Sequence, residues 1–153
     1  MGIEVRGLDA VRQQLKKLAG AARVPTVTIE IPDTEAQKIE WIVAGRKVAG
    51  KQVQAPRDVL QTTPKLLADM AAAFAKAVPK VLRGDKDAPW KAAGEVYLKA
   101  LQNRIGFSGG DIASKLAPLK ESTVARKGGN TRLFYDSGDL LKAILKARIQ
   151  VKR

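Results

Sequence analysis

The chain has 153 residues, with 28 Lys and Arg against 15 Asp and Glu for a net charge of +13. It contains neither cysteine nor histidine, which excludes disulfides, thiol nucleophiles, imidazole bases and Cys/His metal sites. The charge points instead to an acidic partner surface, and it is densest late in the chain, where residues 104–153 hold 11 basic and 4 acidic side chains.

In chain order, Ile3 and Val5 alternate with polar neighbours and suggest a short strand. Leu8, Val11, Leu15 and Leu18 then repeat at helical spacing over about residues 9–19, stopped by Gly20. Thr26 to Ile31 alternates with Val27, Ile29 and Ile31 on one face, a strand closed by Pro32. Asp33 is placed to cap a helix carrying Ala36, Ile39 and Val43 and ending at Gly45, although a strand over Ile39–Ala44 competes with it. Residues 46–57 read as a long basic loop or irregular hairpin.

Thr63-Pro64 opens a long helix whose buried stripe is expected to be Leu67, Met70, Phe74, Val78 and Val81, with Pro79 tightening its last turn and Gly84 ending it. A second helix, bounded by Pro89 and Gly106, carries Trp90, Gly94, Tyr97, Leu101 and Ile105 on one face. The pair, about 64–82 and 89–105, forms an antiparallel helical hairpin. A second long, glycine-rich loop covers 106–119, and 120–127 makes two helical turns. Asp136 or Ser137 then caps a helix with Leu140, Leu141, Ile144 and Leu145 apolar, and 147–152 alternates as a last strand. The fold class is α+β in a single domain over residues 1–153, with a small, mainly antiparallel sheet packed against several helices.

Met1 to Gly7 lacks the basic-then-apolar order of a signal peptide, and Arg6 does not suit a myristoylation start. No apolar run approaches the roughly 18 residues of a membrane span. Gly45 to Lys51 nearly spells a phosphate-binding loop, but Gln52 stands where a hydroxyl is needed and Pro56 interrupts the helix that should follow. Asp136 and Asp139 bracket Ser137-Gly138, a pattern that helix capping explains and that a metal or acid/base site would need further ligands to complete. Arg126, Lys127 and Arg132 surround Gly128-Gly129-Asn130, with Phe134 and Tyr135 following. With Arg46, Lys47 and Lys51 they are the candidate contacts to DNA or to an acidic partner.

The stretch from Ile105 to Ile144 resembles the C-terminal signature of tail-completion (virion morphogenesis, or neck) proteins of tailed bacteriophages. The matching positions are Arg104-Ile105, Pro118-Leu119, Thr123, Lys127, and Leu133 through Ser137-Gly138-Asp139-Leu140. Upstream, Pro56-Arg57 and Leu60 resemble the segment before that family's long helix, with Asp58-Val59 where Pro-Phe is common. The resemblance implies a structural virion protein without catalysis or cofactor, made in the host cytoplasm and placed at the neck. It implies a cyclic homo-oligomer, a hexamer, that meets the head connector or adaptor and the tail tube or terminator, near the packaged DNA and away from membranes. Pro56, Arg57, Leu119, Thr123, Lys127, Leu133, Phe134, Tyr135, Ser137 and Gly138 are then the candidate subunit-interface residues. Phe134 and Tyr135 suit either an interface or the subunit's own core. A small basic nucleic-acid-binding protein is the alternative, and a nucleotide-dependent enzyme using Lys51 a third reading.

Overall fold

In the computed structural model the described residues are 13, 25–131, 133–134 and 138–152. The expected first strand and the helix over 9–19 lie outside them, except that Gln13 is helical and exposed. Arg132, Tyr135, Asp136 and Ser137 are outside them too.

Alternation at the two ends of the described chain becomes one antiparallel pair. Strand β1 (Thr26–Glu30) aligns with β4 (Arg148–Lys152) in a register that sets Val27 opposite Val151 and Ile29 opposite Ile149. Between them come α1 (Asp33–Ala44), a hairpin of β2 (Arg46–Val48) and β3 (Lys51–Gln54), α2 (Pro64–Leu82) and α3 (Ala88–Gly106). A short 3-10 helix (Gly110–Lys115), α4 (Glu121–Arg126) and α5 (Asp139–Lys146) follow. The fold is α+β, and among the described residues four strands form two separate two-stranded sheets.

Residues 33–44 are helical throughout, so the competing strand does not form. Asp33 is the first helical residue rather than the cap, a place where its charge still favours the helix N-terminus; Pro32 occupies the cap position and makes no side-chain cap bond. Gly45 ends α1 with φ +74°, and a Cβ there would lie 2.6 Å from the Gln54 carbonyl oxygen and 2.8 Å from the Pro56 nitrogen. Only glycine lets the helix turn that tightly into the hairpin.

Thr63 caps α2 as expected, accepting from the Leu66 amide at 3.1 Å. The buried stripe is shifted by one residue at its start. Leu66 is buried and Leu67 is 52% exposed, while Ala77 and Val81 complete the buried line and Phe74 meets Trp90 edge-on at 5.0 Å. The reason is phase: positions 66, 70, 74, 77 and 81 hold one face turned to α3, and a start at 67 falls off it. Pro79 sits inside α2 near its end.

Helix α3 is the centre of the molecule, touching α2, the 3-10 helix, α5, β1 and β4. Gly94 permits the close approach of β1 and β4, because a Cβ there would lie 3.0 Å from both Val27 and Ile149. The core joins Ile39, Val59, Leu98, Leu101, Ile105, Phe134, Leu140 and Ile144. The expected loop over 106–119 is partly helical, since the 3-10 helix lies within it. None of the described helices is long and apolar enough to cross a membrane.

Candidate functional site

Two buried arginines tie the two halves of the sequence signature together. Arg57 is 4% exposed; its Nε donates to the Ala117 carbonyl at 2.7 Å and its Nη2 to the Pro118 carbonyl at 2.9 Å. Burial lowers its pKa from the ordinary guanidinium value. Arg104 is 1% exposed and forms a two-pronged ion pair with Asp111, at 2.8 and 3.0 Å. Its Nη1 reaches back to the carbonyls of Val59 at 2.9 Å and Gln61 at 2.6 Å. The hydrogen bond from Arg104 holds the Asp111 carboxyl below the usual carboxylate range.

Smaller contacts close the same joint. The Tyr97 hydroxyl donates to the Leu60 carbonyl at 2.5 Å, and burial raises its pKa. The Gly109 amide donates to Arg104 O at 2.7 Å, and the Leu133 amide to Ser108 Oγ at 3.1 Å. Residues 59–61 are therefore held to α3 by the Arg104 and Tyr97 side chains on their carbonyls, Gly109 and Asp111 are tied back to Arg104, and Arg57 joins the 55–61 segment to residues 117–118.

Beyond this joint lies a cleft of about 330 Å³ whose walls include Leu116, Pro118, Leu119, Val124, Thr131 and Leu133. The segments that contribute this lining, residues 113–131, also carry exposed Lys115, Lys120 and Arg126 and half-buried Lys127, against one acid, Glu121. Helix α4 buries none of its residues. Leu119 and Leu133 line this cleft and are half-buried, Thr123, Lys127 and Gly138 are half-buried elsewhere on the described chain, and Pro56 is exposed. Two candidate interface residues stand differently from the rest. Arg57 is committed inside the subunit, and Phe134, 8% exposed, belongs to the subunit's own core. Phe134 is thus not a stacking platform for a base. Arg132, Tyr135 and Ser137 lie outside the described residues.

The other basic group is on a different element. Arg46, Lys47 and Lys51 are all exposed on the β2–β3 hairpin, which contacts itself far more than the rest of the molecule. Arg46 lies over the Trp41 ring at 5.9 Å. Lys51 starts a strand, so the near-match to a phosphate-binding loop lacks the helix N-terminus that such chemistry requires. Among the described residues no three acidic side chains converge as a metal site. A second depression of about 460 Å³, between α2 and the end of α3, is bordered by Leu66, Ala100, Asn103 and a 75% exposed Phe107.

Reasoning from the sequence singled out Arg57 and Arg104 by position but missed their common role, and it missed Asp111 and Tyr97 as partners. A local signal existed for one pair only. Asp111 follows Arg104 by seven residues across a glycine-rich turn, close enough for a loop to fold back. Comparisons with protein-family profiles, curated proteins and solved structures find no match for this chain.

Proposed function

We propose that this chain is a ring-forming tail-completion or neck component of a tailed-phage virion, joining the tail to the head connector without catalysing a reaction. The observation that carries this reading is the coincidence of pattern and joint. The stretches that resemble the tail-completion signature, residues 54–60 and 104–140, are the ones that Arg57 and Arg104 bind together. Beyond the joint lies an apolar cleft on segments that also carry exposed Lys115, Lys120 and Arg126, a surface suited to being gripped by protein. The ring is a hexamer in this reading, and its partners are the connector or adaptor on one side and the tail tube or terminator on the other. The test is deletion of the gene from the phage that carries it. DNA-filled heads and separate tails, rejoined when the gene is supplied in trans, are the expected result; intact infectious particles at normal yield would refute the reading.

A nucleic-acid reading is favoured by one observation. The segment 46–57 has four basic residues and no acid, and Arg46, Lys47 and Lys51 are exposed on its hairpin. If that hairpin grips duplex DNA, changing all three to Gln lowers the slope of log affinity against log salt by about three. An unchanged slope removes this reading.

A further inference from the structure

The side of α1 turned away from the core carries Asp33, Gln37, Glu40, Trp41 and Ala44, all exposed. Their spacing puts them on one helical stripe. Trp41 is 47% exposed and directly follows Glu40, with Asp33 about two turns earlier on the same stripe, in a chain of net charge +13. The helix's one lysine, Lys38, is bound to Glu35 at 2.9 Å and so does not neutralise this stripe. Arg46 stacks over the indole from the neighbouring strand and helps fix the orientation of the ring.

This stripe, with its two carboxylates, is the complement of the apolar cleft and of the exposed Lys115, Lys120 and Arg126 on the segments that line it. We propose that the stripe of one copy docks into the cleft of the next, with Trp41 against Leu116, Pro118, Val124 and Leu133, and with Asp33 and Glu40 facing Lys120 and Arg126. The inference rests on the ring reading and names the contact that would build it. When the stripe of each copy enters the cleft of the next, and not reciprocally, the contact is head-to-tail, and repeated head-to-tail contact closes into a ring when its rotation allows. An aromatic that buries beside charges that stay outside matches the division of labour in protein interfaces: the aromatic holds affinity, and the charges set partner choice and salt dependence.

The experiment is sedimentation of the full chain, with circular dichroism confirming that each variant is folded. Trp41→Ala should weaken self-association by roughly 30-fold or more. Asp33→Lys with Glu40→Lys should weaken it by about tenfold or more, as should Lys120→Glu with Arg126→Glu, and all four changes in one chain should recover most of the loss. If the wild-type ring forms and every variant assembles equally well, this contact is wrong while the ring reading stands. If the wild-type chain remains monomeric at the highest attainable concentration, the contact is overturned. Its absence from purified particles would remove the ring reading as well.

Discussion

Arg104→Ala should destabilise the fold by about 3 kcal/mol, lowering the thermal midpoint by roughly 6–12 °C for a chain of this length. The guanidinium is 1% exposed and serves three acceptors at once: the Asp111 carboxylate and the carbonyls of Val59 and Gln61. Its removal leaves Asp111 near solvent, where water donates to the carboxylate, because that side chain is 42% exposed. The larger cost falls on the carbonyls at the buried end and on the void left behind. Arg104→Lys should lie between wild type and Ala, since one ammonium cannot span a carboxylate and two carbonyls in a fixed plane.

Acid has a related effect of definite sign. Folding lowers the pKa of Asp111, so the folded state binds fewer protons there than the unfolded state. The associated stabilisation is complete above the unfolded value of about 4 and disappears as pH falls through the lowered folded value. In Arg104→Ala this part of the acid transition should be absent, which urea titrations at a series of pH values would reveal.

Ile144→Ala is expected to cost about 3–4 kcal/mol, by loss of apolar burial and creation of a cavity. Ile144 is fully buried in the cluster that includes Ile39, Leu101, Ile105 and Phe134. It lies near the end of α5, one turn before the chain enters β4, and its carbonyl accepts from the Gln102 side chain at 3.1 Å. The loss should therefore loosen α5 and the β1–β4 pair together, seen as faster amide exchange in Ile149 and Val151 than in α2. Leu145→Ala, one residue away but 60% exposed, should change stability by less than about 0.5 kcal/mol.

The elements with plain local codes were legible from sequence. Alternation marked β1 and β4, Thr63-Pro64 marked the start of α2, and Gly45 marked the end of α1. Ambiguity arose where two codes overlap. Residues Ile39 to Ala44 satisfy both periods, and the helix prevails because it buries Ile39 with Ile42 and Val43 half-covered against the core. Two adjacent leucines, 66 and 67, each fit a helical stripe, and only the position of α3 decides between them. The arginine joint was not legible, because backbone carbonyls are offered by every residue and leave no trace in composition. Arg57 reaches acceptors 60 and 61 positions away, and Arg104 reaches acceptors 45 and 43 positions away. The same blindness made Arg57 look like an interface residue when its charge is spent inside the subunit. The charge density of this region was visible, but the cleft exists only once Leu116, Pro118, Leu119, Val124 and Leu133 come together in the fold.

The central claim is that this chain is a stoichiometric part of a virion's head–tail junction. Quantitative mass spectrometry of density-purified particles tests it most directly. The account predicts peptides from the whole chain at the copy number of a single six-fold ring, retained after washing with high salt. Complete absence from intact infectious particles, with the protein found only in the lysate, would contradict it.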